Sequence, residues 1–136
     1  MIGRQFHADG SQPKAGQVFV FGSNLSGIHG GGAARAAHMH YGAVWGLAEG
    51  LAGQSYALPT VKVNIAGPLP LSQIKEAVER FLTYAHHNPE SSFLVTRVGC
   101  VLAGYSDEDI APMFRDAPLN CSLPDTWQAL LEEVPL

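Results

Sequence analysis

Val18-Phe19-Val20-Phe21 runs into Gly22-Ser23-Asn24-Leu25-Ser26-Gly27-Ile28-His29-Gly30-Gly31-Gly32 and then into Ala33-Ala34-Arg35-Ala36-Ala37. The first four residues are continuously apolar and β-branched or aromatic, which predicts a strand buried on both faces. The glycines let successive backbone N–H groups turn toward one point. A helix predicted over residues 33–40 adds its own unpaired N–H groups and the positive end of its dipole. Together these predict a cradle for an anionic ligand. The plainer alternative is a tight strand-to-helix turn that binds nothing.

The same grammar returns downstream. Phe93-Leu94-Val95-Thr96-Arg97-Val98 reads as a second strand, followed by the glycine turn Gly99-Cys100-Val101-Leu102-Ala103-Gly104-Tyr105. Ser106-Asp107-Glu108-Asp109 then has the form of a capping box opening a helix to about Arg115. Its acids complement the helix dipole, which makes the first loop the better anion site. Between the two units, Ser55-Tyr56-Ala57-Leu58 reads as a short strand stopped by Pro59, and Pro68 and Pro70 keep the next connection irregular. Ser72 is expected to cap a helix that buries Ile74, Val78, Phe81, Leu82 and Ala85, supported by Glu76 and Arg80 four apart and ended by Asn88-Pro89. A last helix is expected from Pro124 to Glu133, burying Trp127, Leu130 and Leu131. The polar opening segment predicts little regular structure, and residues 41–53 fit no class. Strands alternating with helices predict an α/β sheet covered by helices, with ligands collecting beyond the carboxyl ends of the strands.

Bulk properties narrow the function. A chain of 136 residues fits one domain, here residues 1–136, with a core that needs no disulfide or metal staple. Only 15% of residues are charged, the net charge is −4, and the eight Lys and Arg are scattered, which argues against sequence-specific nucleic-acid binding. Cys100 and Cys121 lie far apart without metal-ligand spacing, so reduced thiols in a cytoplasm are expected, with no metal and no cofactor. No window approaches the roughly 18 apolar residues of a membrane span, and the N-terminus lacks a signal-peptide core, so a cytoplasmic protein without a membrane partner is expected.

Two familiar glycine motifs fail. No Gly-Lys-Ser or Gly-Lys-Thr closes the first loop, which removes Walker A. Gly30, Gly32 and Arg35 break the Gly-x-Gly-x-x-Gly spacing, and Glu49 does not end a predicted strand, which removes the Rossmann fingerprint and with it hydride chemistry.

Residues 9–115 instead resemble a macrodomain: a buried strand with an asparagine at its end, Gly22-Ser23-Asn24, then Gly30-Gly31-Gly32-Ala33-Ala34, and later a strand with a Gly-Cys-x-Leu loop. Closest in pattern is the short branch that removes ADP-ribose from glutamate. The resemblance implies a three-layer α/β/α fold with a mixed, mainly parallel sheet and a cleft for ADP-ribose or a relative. It implies that Asn24 lies against the distal ribose, that Gly30 to Ala33 wrap the diphosphate and ribose, and that Gly99, Cys100, Val101, Leu102, Ala103, Gly104 and Tyr105 close over the diphosphate from the other side. Asp9 would accept from the adenine amino group, and Gly22, Ser23, Thr60 and His29 would also line the site. The chain departs from that branch at Ala103, where its aspartate is expected, and at Val101, which replaces a glycine; Lys62 falls only near its lysine.

For the remaining candidates, structural roles compete with chemistry. His38 and His40 are two apart and cannot share a helix face, while His86 and His87 suit a helix end. His29 sits inside the loop, where it could touch phosphate. Asn24 and Lys62 are the only candidates for chemistry, and Cys100 lacks a partner base. The leading function is therefore binding of ADP-ribose or a related nucleotide, free or on a macromolecule, with or without hydrolysis. The alternatives are an interaction domain whose cleft has lost its ligand and an unrelated nucleotide hydrolase.

Overall fold

The computed structural model describes residues 3–132. Six strands form one sheet: β1 (Phe6–His7), β2 (Val18–Asn24), β3 (Gly50–Ala52), β4 (Ser55–Val61), β5 (Phe93–Val95) and β6 (Cys121–Pro124). Their order across the sheet is β1-β6-β5-β2-β4-β3. Every pairing is parallel except β3 with β4.

The apolar run in β2 is buried on both faces, as expected, and its side chains alternate between two cores. Phe19 and Phe21 pack with Ala34 and Ala37 of helix α1 (Gly32–His40) and with Ala57 and Leu94. Val20 joins the larger core on the other face, with Tyr56, Leu58, Phe93 and Val95. Helix α2 (Leu71–His87) lays Ile74, Val78, Phe81 and Leu82 against that face, each such large side chain contributing about 1.5–3 kcal/mol of burial. Helix layer, sheet and helix layer make the three-layer α/β/α architecture expected from the resemblance.

The differences from expectation have local causes. The strand starting at Ser55 runs through Pro59 to Val61. At Pro59 the β3 side is open, because β3 pairs only with Ser55 to Ala57, so the missing N–H leaves no ladder bond unmade there. Helix α2 begins at Leu71 behind Pro70, so Ser72 lies inside it rather than capping it. Arg80 spans to Glu49 instead of Glu76, at 2.6 and 3.0 Å. The strand from Phe93 ends at Val95 rather than Val98. Helix α3 (Asp107–Ile110) passes into a 3-10 turn, Ala111–Phe114, at Pro112.

The expected C-terminal helix is replaced at its start by β6, then by a 3-10 turn, Asp125–Trp127, and the single turn α4 (Gln128–Leu131). Trp127 is fully buried, Leu130 and Leu131 only half, and Glu133 lies outside the described residues. Among the described residues no helix is long and apolar enough to cross a membrane.

Candidate functional site

Strands β2 and β5 are parallel neighbours, and both glycine loops leave their carboxyl ends. There the chain encloses a cleft of about 1050 Å³, at the large end of small-molecule sites. The cleft runs along the ends of the strands, from His7 at the end of β1 and Asp9 just after it to Val61 at the end of β4 and Ile65 beyond it.

The first loop is clamped from within. The Asn24 side chain donates to the Ile28 carbonyl at 2.8 Å and accepts from the Ile28 N–H at 3.0 Å. Gly27 has φ +67°, and a Cβ there would run into the backbone of Gly46, whose N–H donates to the Gly27 carbonyl at 2.8 Å. Only glycine fits this close approach. His29 turns inward and is 1% exposed, edge-on to Phe21, with Nε2 2.9 Å from the Val44 carbonyl. A carbonyl only accepts, so Nε2 carries the proton and the ring anchors the loop from behind.

The product of this clamping is an open helix end. Gly30, Gly31 and Gly32 are exposed on the cleft wall. Gly31 occupies the N-cap position of α1 without a side-chain cap, and no acid lies in the first turn. The unpaired N–H groups and the dipole of a nine-residue helix are thus left uncompensated by the protein.

The second loop is built differently. Gly99 has φ +78°, and a Cβ there would lie 2.9 Å from Ile110 Cδ1. Beyond it, the Ser106 side chain accepts from the Asp109 N–H at 3.2 Å and the Asp109 carboxylate accepts from the Ser106 N–H at 3.3 Å, closing the capping box read from the sequence. Asp107 accepts two bonds from Arg97, Nε at 3.1 Å and Nη2 at 3.0 Å, and one from the Trp127 indole at 2.8 Å. Burial would raise the Asp107 carboxyl, but the bonds from Arg97 and Trp127 outweigh it and hold it below the usual carboxylate range. Burial, reinforced by the nearby Asp107, pushes the Cys100 thiol up to about 12, so a Cys100 nucleophile is disfavoured.

Most of the expected site residues come together. Asp9, Gly22, Ser23, Asn24, Gly30, Gly31, Gly32, Ala33, Thr60, Gly99, Val101, Leu102 and Ala103 all line the cleft. Five candidates do not. His29 lies behind the loop, and Lys62 is exposed on the connection after β4 and is not among the residues lining the cleft. The half-buried Cys100 packs toward the larger core, Gly104 lies beyond the lining, and Tyr105 turns back to donate to the Leu69 carbonyl at 2.8 Å. Asn24 reaches the cleft, but its amide is largely committed to the loop, leaving one N–H of Nδ2 and one lone pair of Oδ1 for anything else.

Sequence reading missed Arg97, which it placed inside a strand, and Phe19 and Tyr41, whose rings lie 4.8 Å apart on the cleft side of β2. Shortening that strand to three residues puts Arg97 at the mouth of the second loop. Among the described residues no three His, Cys, Asp or Glu side chains are grouped to hold a metal ion.

No protein-family model matches the chain, and no curated protein matches it in sequence. Two solved structures match in fold. A protein of unknown function from Bacteroides thetaiotaomicron superposes with a TM-score of 0.61 at 13% identity, covering 90% of this chain and 98% of that one. A macrodomain protein from Streptomyces coelicolor superposes with a TM-score of 0.57 at 15% identity, covering 90% and 97%. With its mostly parallel six-stranded sheet between helices, the chain has a macrodomain-like fold.

Proposed function

We propose that the cleft binds ADP-ribose or a related nucleotide, either free or attached to a macromolecule. The observation that carries this reading is the uncapped, acid-free N-terminus of α1, opened into the cleft by Gly30 to Gly32 and flanked by the second glycine loop. A diphosphate seated there meets backbone N–H donors and a favourable dipole without needing a lysine. Asn24 then acts first as the clamp that shapes the loop and second, through its remaining N–H, as a donor to the distal ribose.

Binding is better supported than turnover. Ala103 stands where the resemblance leads one to expect the aspartate of the glutamate-directed branch, and Lys62 is off the cleft walls, so a mechanism using that pair is not proposed. Hydrolysis in this cleft would rest on a water held by ligand phosphate and Asn24. Calorimetric titration with ADP-ribose tests the reading. At about 100 times the dissociation constant the ligand should stabilise the fold by roughly 2.7 kcal/mol. No heat and no thermal shift at millimolar ligand would remove it, and a thermal shift without release of free ADP-ribose from a modified protein would mark a reader rather than a hydrolase.

A further inference from the structure

Arg97 is the one arginine or lysine lining the cleft among the described residues. Its guanidinium is fixed on one edge: Nε and Nη2 both bond Asp107, which the buried Trp127 holds in turn. The free edge is different. Nη1 makes no hydrogen bond among the described residues and lies 3.7 Å from Asp9 Oδ2, beyond hydrogen-bond reach. A donor and a carboxylate acceptor therefore stand side by side on the cleft wall, each with capacity to spare.

Charge says what kind of group belongs there. One guanidinium between Asp9 and Asp107 leaves the trio with a net negative charge, so a phosphate is disfavoured and a neutral group is favoured. The acid-free cradle at Gly30 to Gly32 has the opposite preference. Asp9 and Arg97 also lie at the β1 end of the cleft, with β2 and its glycine loop farther along the sheet.

Resting on the nucleotide reading above, and on the Asp9–adenine amino contact that the resemblance already implies, we propose that Arg97 is a specificity-determining residue: it donates from Nη1 to the ring acceptor beside that amino group. Adenine presents that pair, an amino donor beside a ring nitrogen acceptor. Hypoxanthine places a carbonyl oxygen where the amino group was and turns lone pairs against Asp9. Asp107 and Trp127 act as positioning residues, because they fix the plane in which Nη1 points.

The test is titration of the full chain with ADP-ribose and with inosine diphosphate ribose. Wild type should favour ADP-ribose, and Arg97→Met should weaken ADP-ribose by about tenfold or more, the scale of a lost charge-assisted bond, while narrowing the preference between the two ligands. Arg97→Lys should behave alike, since it keeps the charge but loses the fork. It also replaces Arg97→Met if thermal unfolding shows that the latter does not fold. A purely structural role would leave the ligand preference intact. An Arg97 variant that folds and keeps both the affinity and the preference overturns the inference while leaving the nucleotide reading standing. Absence of ADP-ribose binding by wild type brings down both.

Discussion

The two glycine loops leave neighbouring parallel strands and line one cleft, but they deliver their helices in opposite electrostatic states. The first ends at Gly31, with no side-chain cap and no acid in the following turn. The second ends at Ser106, with both arms of a capping box made and Asp107, Glu108 and Asp109 in the first turn. Loop composition alone does not make an anion site. The residues just past the glycines decide whether the helix end is offered to a ligand or satisfied by the protein itself. The loop interiors differ in the same sense, since the first is shaped by backbone contacts and a neutral amide, the second by an arginine–carboxylate pair.

The sharpest way to break this contrast is to put an acid into the first loop. Gly31 is extended (φ −153°) and a Cβ there meets nothing within 4 Å, so Gly31→Glu should fold normally. The new carboxylate should cost several kcal/mol of ADP-ribose affinity by like-charge repulsion, and calorimetry would read the loss directly. Unchanged affinity would remove the cradle. Next in size, Gly99→Ala forces a left-handed residue and a clash with Ile110, for a loss of roughly 1–3 kcal/mol in denaturant unfolding. Normal stability would show that the second loop adapts more than its geometry suggests.

Ser106→Ala should cost about 1 kcal/mol of stability through the lost cap and leave ADP-ribose affinity unchanged, because that helix end is already satisfied by the protein. An affinity change would mean that the second helix also faces the ligand. The smallest effect concerns acid. The folded-state pKa of Asp107 is depressed, so its contribution is present in full above the unfolded carboxylate pKa and is lost as pH falls through the folded value. Asp107→Asn should accordingly flatten the acid limb of a stability profile below about pH 4. A profile as steep as wild type would assign that limb to other carboxylates.

The strongly patterned elements were legible: the buried run at Val18, the amphipathic helix around Phe81 and the capping box at Ser106. The strands β1 and β6 were not. Phe6–His7 and Cys121–Pro124 are two and four residues long and carry no period of their own. They are strands because they pair in register, Phe6 with Leu123 and Phe93 with Cys121. The site was legible in the same uneven way. Its glycines were visible, because backbone freedom is written in the residue type. His29 was misjudged because its side chain could turn to either side of the loop, and only the Val44 carbonyl and the Phe21 ring fix it inward.

By itself the sequence determined an alternating α/β pattern, two glycine turns and the difference between an acid-free and an acidic helix start, all properties of neighbouring residues. Only the tertiary structure decided that the two turns share a cleft. It also brought Asp9, Arg97, Asp107 and Trp127 from separate parts of the chain into one ion-paired and hydrogen-bonded group. The physical reason is range: local periodicity and backbone freedom act over a few residues, whereas strand pairing joins Phe6 to Leu123, 117 residues away, and ion pairing joins Asp9 to Arg97, which become neighbours only when the parallel sheet forms.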